Sequence, residues 1–233
     1  MANAGWAQRW AGGLIVSCQP LAGSAMDSDD IVVAMAMAAQ AGGASALRIE
    51  GVARVRQVVA QVSVPVVGIV KRDLADIAVR ITPLLDDVDA LCAAGAAVVA
   101  VDATQRVRPV PVADLVQRIK DGHCLAMAEC SRLADGLAAR DLGFDWVGTT
   151  LSGYTADTLC ADDSPPDWAL IRQLSQQGCW VVAEGRLRTP AHATQALREG
   201  ARAVTVGSAI TRVEHITSWF VQALSPSVPD AGT

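Results

Sequence analysis

Aromatic residues are scarce in this chain of 233: two Phe, one Tyr and six Trp, 4% of the whole. So few rings leave little to stack on nucleobases, and a formal net charge of −5 offers no basic footprint, so nucleic acid is not expected as a partner. No stretch reaches the roughly 18 uncharged apolar residues of a membrane span, although hydrophobic residues make up 52% of the chain. None of the six cysteines (Cys18, Cys92, Cys124, Cys130, Cys160, Cys179) forms a C-x-x-C pair, and no His stands at ligand spacing from a Cys pair. Cys18, Cys124 and Cys179 lie in or beside apolar runs and read as buried, reduced thiols. The only histidines, His123, His192 and His215, share no face, so neither a metal site nor a His base is expected. The beginning of the chain lacks a basic segment followed by an apolar stretch, which leaves the cytoplasm as the expected location.

What the chain does contain is short runs rich in Val and Ala, separated by amphipathic stretches. Gly13–Cys18, Ala46–Glu50, Val66–Val70, Ala97–Val101, Cys124–Ala128, Trp146–Thr149, Trp180–Ala183 and Ala203–Val206 are eight strand candidates. Near-continuous apolarity marks strands buried on both faces, as in a parallel sheet. Between them, Ser28–Ala41 and Val52–Val62 read as the first two helices, the first capped by Asp27 or Ser28. Gly42, Gly95, Gly122, Gly143, Gly178 and Gly200 fall where helices end, a place that favours the left-handed conformation. Strand–helix alternation of this kind implies parallel strands, right-handed crossovers and helices outside the sheet.

The rival to a closed barrel is an open doubly wound sheet, which carries its phosphate-binding glycines after the first strand. Here that segment is Gln19-Pro20-Leu21-Ala22-Gly23, and the glycine signals come late, at Glu184-Gly185-Arg186 and Val206-Gly207-Ser208. Late glycines suit a barrel whose phosphate site follows strands seven and eight. The fold expected is a single-domain α/β protein, a parallel (β/α)8 TIM barrel over residues 1–224, with 225–233 a flexible Pro/Ser/Gly-rich tail. Trp6, Trp168 and Trp219 read as barrel-bottom packing before they read as interface, and the chain is compatible with a homodimer.

In such a barrel the site is built at the C-terminal ends of the strands. Those positions hold Gln19, Arg48 with Glu50, Lys71 with Arg72, Asp102, Glu129, Thr149 with Thr150, Glu184 with Arg186, and Gly207. A partly buried Lys71 near another cation such as Arg48 has a lowered pKa, and its neutral amine can accept a proton. Glu184 completes an acid/base pair able to move a proton at a carbon beside a carbonyl, unless it merely pairs with Arg186 or Arg188 at the rim. Asp102 and Glu129 are hydrogen-bonding groups before they are cation ligands. Gly185 and Gly207 allow backbone N–H groups to approach phosphate oxygens, a helix starting at Ser208 aims its positive end there, and Arg186 and Arg212 add charge. No cofactor is implied.

Taken in order, GLIVSCQPL (Gly13–Leu21), ALRIEGV (Ala46–Val52), PVVGIVKRD (Pro65–Asp73), ITP (Ile81–Pro83), VDATQRVRP (Val101–Pro109), LGFDWVGTTLSGYT (Leu142–Thr155), AEGRLRTP (Ala183–Pro190) and VGSAITR (Val206–Arg212) are informative as a set. Together they resemble the N-acetylmannosamine-6-phosphate 2-epimerase family of bacterial sialic acid catabolism. The resemblance implies a metal-independent TIM barrel acting on a phosphorylated amino sugar. Its reaction interconverts N-acetylmannosamine 6-phosphate and N-acetylglucosamine 6-phosphate by deprotonation and reprotonation at C2 of the open chain. It further implies Lys71 as the essential lysine with Glu184 beside it, and Gln19 and Arg48 as substrate-binding residues. Gly207 through Arg212 would hold phosphate, with Gly185 and Arg186 contributing from the preceding loop. Asp102, Glu129 and Thr150 complete the expected substrate contacts.

Three positions depart from the family pattern. Glu129 stands where aspartate is usual, Ser208 replaces the second glycine of a GG pair, and Glu50 replaces an uncharged residue, usually glutamine. Two other functions fit the same loops: another phosphosugar epimerase or aldolase, and a phosphosugar-binding barrel without catalysis.

Overall fold

The computed structural model describes residues 10–161 and 163–224. Eight strands form β1 (Gly13–Cys18), β2 (Ala46–Glu50), β3 (Val66–Ile69), β4 (Val98–Asp102), β5 (Leu125–Glu129), β6 (Trp146–Gly148), β7 (Val181–Glu184) and β8 (Ala203–Val206). All pair in parallel in sequence order, and β8 returns to β1, so the sheet closes into a barrel. Around it run α1 (Asp29–Ala41), α2 (Val52–Val59), α3 (Leu85–Ala93), α4 (Val112–Asp121), α5 (Leu133–Asp141), α6 (Trp168–Gln176) and α7 (Pro190–Arg198). A single turn α8 (Ser208–Thr211) and α9 (Val213–Leu224) follow β8. The expected (β/α)8 TIM barrel is therefore the fold. The proposed tail 225–233 and Trp6 lie outside the described residues.

Side chains along a strand alternate between faces, and the barrel sorts them into two cores. Val99, Val101, Ala126 and Ala128 point outward against the helices. Val98, Ala100, Leu125 and Met127 fill the barrel interior together with Ile15, Ala46, Val67, Ile69, Val182 and Ala203. The interior is closed at its N-terminal end by three tryptophans. Trp146 packs against Trp10 at 4.2 Å and stacks on Trp180 at 4.9 Å between ring centroids. Trp219, expected as packing at that end, lies at the other one and lines the mouth.

Continuing the inward phase toward the C-terminal ends brings polar residues to the same axis: Arg48 after Ala46, Asp102 after Ala100, Glu129 after Met127, Glu184 after Val182. Asp102 and Glu129 are register partners in the ladder itself. Three strands accordingly end later than their apolar runs, β4 at Asp102, β5 at Glu129 and β7 at Glu184, whereas β3 and β6 end one residue earlier than expected, at Ile69 and Gly148. The apolar run stops where the site begins, but the backbone pairing does not.

Two local expectations also change. α1 starts at Asp29 with the Ser28 hydroxyl accepting from Ile31 N, and α2 stops at Val59. Among the six glycines at helix ends, Gly95, Gly143, Gly178 and Gly200 are left-handed as expected. Gly42 and Gly122 are not, and the next residue takes that conformation instead, Gly43 in one case and His123 in the other.

Candidate active site

The polar strand ends open into a cavity of 450 Å³ at the C-terminal mouth. Of the residues expected there, Gln19, Arg48, Lys71, Asp102, Thr150, Glu184, Gly185, Arg186, Gly207, Ser208 and Arg212 all line it. Glu129 does not. It is fully buried beneath the wall, where its Oε1 accepts from Arg48 Nη2 at 2.9 Å.

Arg48 is the hub. Its side chain is 4% exposed and lies between two carboxylates, Glu129 at 2.9 Å and Glu184 Oε1 at 3.6 Å from Nη1. Burial works against its charge, but the two carboxylates outweigh that and its pKa is raised. Glu184 thus pairs with Arg48 and not with Arg186 or Arg188 at the rim. Its Oε2 accepts from Thr150 Oγ1 at 3.2 Å. Thr149 grips its backbone, accepting from Glu184 N at 3.1 Å and donating to Glu184 O at 2.9 Å. Burial, with the charge of Glu129 behind it, raises the Glu184 carboxyl to about 7, against the opposing pull of Arg48, Thr150 and Lys71.

Lys71 follows β3 where the chain turns into a small hairpin. Lys71 bridges Ile81, Arg72 N donates to Arg80 O at 3.0 Å, and Leu74 bridges Ile77. The hairpin root is pinned by buried Thr82, whose hydroxyl donates to Ala100 O at 2.7 Å and accepts from Val70 N at 3.2 Å. Solvent reaches Lys71 through the mouth, yet protein crowds its other sides. That crowding, then the charge of Arg48, lowers its ammonium to about 8, with Glu50 opposing and Arg212 and Arg80 assisting. Lys71 makes no hydrogen bond or ion pair with any described residue, so its amine is free to meet a ligand.

Asp102 and Glu129 do not share a cation. Each is taken by its own arginines: Arg48 holds Glu129, while Arg106 and Arg108 both bind Asp102. Arg106 also donates from Nε to Thr104 Oγ1 at 2.9 Å and from Nη1 to Ala78 O at 3.2 Å, tying the loop after β4 to the hairpin after β3. Sequence reasoning gave Arg106, Arg108, Ser17, Thr82, Thr205 and Tyr154 no role. The one signal for the arginines was their recurrence in VDATQRVRP just after a strand end.

Directly after β7, Gly185 (φ +109) and Arg186 (φ +56) are successive left-handed residues. The first conformation is open to glycine, and the second is uncommon for any other residue and characteristic of functional loops. Arg186 Nη1 donates to Ser152 O at 2.7 Å and Nε to Pro165 O at 3.0 Å, with the guanidinium 5.6 Å from the Tyr154 ring centre. It therefore braces the loop after β6 while lining the cavity. Gly207 packs closely on β1, since a Cβ there would lie 3.2 Å from Ser17 Cβ. Arg212 Nε donates to Gln19 O at 3.0 Å, and Gln19 Nε2 to Ser17 Oγ at 2.7 Å. The first N–H groups of a helical turn have no intrahelical acceptor, so the backbone at Ser208 offers donors beside the Arg212 cation. Arg186 and Arg212 with these glycine turns offer a surface suited to a small anion. Lys71, Glu184 and Arg48 bring groups suited to proton transfer into the same cavity from the ends of β3, β7 and β2. Among the described residues, no three His, Cys, Asp or Glu side chains gather as a metal site.

Residues 32–226 match the model of a family described as "Putative N-acetylmannosamine-6-phosphate epimerase". A relative from Yersinia pseudotuberculosis serotype O:3 (strain YPIII), named "Putative N-acetylmannosamine-6-phosphate 2-epimerase", is 58% identical over 212 residues, 91% of this chain and 90% of that one. One of the same name from Salmonella agona (strain SL483) is 57% identical over 216 residues, 92% of each. Among solved structures, the N-acetylmannosamine-6-phosphate 2-epimerase from Clostridium perfringens superposes with a TM-score of 0.90 at 39% identity, over 94% of this chain and 96% of that one. Deoxyribose phosphate aldolase from Aeropyrum pernix (TM-score 0.65, 16% identity, 92% of this chain and 93% of that one) shares the barrel alone.

Proposed function

The chain belongs to the N-acetylmannosamine-6-phosphate epimerase family, and on that premise we propose that it reversibly inverts C2 of N-acetylmannosamine 6-phosphate, giving N-acetylglucosamine 6-phosphate. The observation that carries this reading is the pair Lys71 and Glu184 lining one cavity from the ends of β3 and β7, an amine lowered to about 8 and a carboxyl raised to about 7. A C2 proton alpha to the open-chain aldehyde is acidic enough for a neutral amine to remove if the enolate oxygen is stabilised. Lys71 takes that proton. Arg48 and protonated Glu184, whose side chains are 3.6 Å apart, hydrogen-bond O1 as its charge grows. Gln19, Asp102 and Thr150 meet sugar hydroxyls or the acyl group, and Glu129 acts through Arg48. The phosphate sits among Gly185, Arg186, Gly207, Ser208 and Arg212.

Inversion needs a proton from the opposite face. Glu184 delivers it, or Lys71 returns its own after the intermediate turns. Single turnover of C2-deuterated substrate separates the two, because a single base carries some label into product and two bases carry none.

The reading itself is tested in deuterated water without added metal or nucleotide. Deuterium is expected at C2 of N-acetylmannosamine 6-phosphate, and Lys71→Ala abolishes the exchange. Wild-type protein that leaves C2 unlabelled while binding the sugar phosphate would sink the epimerase in favour of a binding protein. No helix among the described residues is long and apolar enough to cross a membrane. A cytoplasmic homodimer is the form we assign to the working enzyme, to be checked by fractionation and sedimentation.

A further inference from the structure

At the end of the barrel away from the mouth, two thiols touch. Cys92 is the penultimate residue of α3 and Cys124 immediately precedes β5, and their Sγ atoms are 3.1 Å apart with Cys124 donating. Cys124 is buried and its Sγ lies 3.2 Å from Ala96 O, whereas Cys92 is half-buried. The turn between α4 and β5 is shaped around the contact: a Cβ at Gly122 would come within 2.7 Å of Cys92 Sγ, and His123 carries the left-handed bend. No other described cysteines are placed this way. Cys18, Cys130 and Cys179 are buried, and Cys160 is exposed with only Gly153 O beside its sulfur.

We propose that Cys92 and Cys124 form a modification site, a dithiol that a low-molecular-weight disulfide of the glutathione type converts to an intramolecular disulfide joining α3 to the start of β5. The Cys92 thiolate attacks one sulfur of the reagent and expels one thiolate, leaving a mixed disulfide. Cys124 then attacks Cys92 Sγ, the second reagent thiol departs with the Cys124 proton, and the Cys92–Cys124 bond forms. Two protein thiols are oxidised and one reagent disulfide is reduced to two thiols. The order follows from the site. Cys92 is reachable, and the hydrogen bond from Cys124 favours its thiolate, while the same bond and burial hold Cys124 as a thiol until an electrophilic sulfur lies beside it.

The test is covalent and independent of turnover. Full-length protein is incubated with oxidised glutathione, raised until the exposed Cys160 is glutathionylated, then alkylated and peptide-mapped. The expected product is a Cys92–Cys124 cross-linked peptide, lighter by two hydrogens and free of glutathione. In Cys124→Ser, Cys92 keeps glutathione as a stable mixed disulfide, and in Cys92→Ser, Cys124 is recovered as free thiol. Wild-type protein whose Cys92 stays glutathionylated, or stays a free thiol once Cys160 is modified, overturns the proposal.

Discussion

The two ends of the barrel interior obey opposite rules. At the N-terminal end three tryptophans interlock, and the residues around them are apolar and buried. At the C-terminal end the same inward positions hold Arg48, Asp102, Glu129, Glu184 and Thr205, four of them charged. Arg48 Nε, Glu129 Oε2 and Thr205 Oγ1 are buried there with no partner among the described residues. Each such atom costs on the order of 1–3 kcal/mol, so the mouth is destabilised relative to the floor. One end supplies stability and the other holds polar groups ready for a ligand.

Paired substitutions break that division most directly. Trp146→Ala is expected to lose about 3–5 kcal/mol, with a melting temperature lower on the order of 10 °C and near-normal turnover per folded molecule. Lys71→Ala is expected to do the reverse. Turnover should fall by roughly two to four orders of magnitude, while stability stays level or rises, because a charge disfavoured by its surroundings is gone. Calorimetry beside a C2-exchange assay reads both. If the two variants lost stability and activity in parallel, the division of labour would be wrong.

The pH dependence sharpens it next. Lys71 must be neutral and Glu184 protonated, yet their values near 8 and 7 are crossed, so the productive form is a minority at every pH. The rate constant kcat/KM should follow a bell with apparent limbs near those values and its maximum between them. Glu129→Gln removes the negative charge behind Glu184 and releases Arg48 toward it, which lowers the Glu184 value, so the acid-side break should move to lower pH and the maximum should fall while the alkaline break stays with Lys71. A flat profile across this range would remove the crossed pair from the mechanism.

Glu184 also leaves a smaller mark on stability. Its folded value is raised above the ordinary 4.5 to about 7, so between these the folded state holds a proton that the unfolded state has lost. Stability from this group is therefore complete below about 4.5 and declines as pH rises through about 7. Glu184→Gln should remove the decline, gaining on wild type at about pH 8 and not at about pH 5 by thermal melts.

How much of this the residues announced depends on what each position answers to. The eight strands were legible because a strand buried on both faces must be apolar throughout, as VVGIV and AVVAV are. The mouth was legible in outline because polar residues end nearly every such run, and in a barrel those ends converge. Direction and partnership were not legible. Nothing in AMAE says that Glu129 turns beneath the wall to hold Arg48, 81 residues away. Nothing in VKRD says that Lys71 opens a hairpin fastened through Thr82 to β4. These facts belong to closure of the ring, which sets which strand ends become neighbours. The arginines after β4 were missed because a rim Arg looks solvated until the buried Asp102 is found to pair with it.

The smallest effect is expected in the phosphate wall, where the comparison between ends predicts binding without chemistry. Gly207 has φ −113, open to any residue, so alanine there is opposed only by the 3.2 Å contact with Ser17 Cβ. Ser17 is a buried residue of β1 and would have to give by a few tenths of an ångström, at a cost of about 1 kcal/mol. Gly207→Ala should raise KM for the phosphosugar several-fold and weaken inhibition by inorganic phosphate in proportion, with kcat nearly unchanged. That pattern marks uniform binding lost from ground and transition states alike. A fall in kcat at constant KM would instead place Gly207 with Lys71 and Glu184 among the groups that act only as the C2 proton moves, and the wall would no longer be a phosphate site alone.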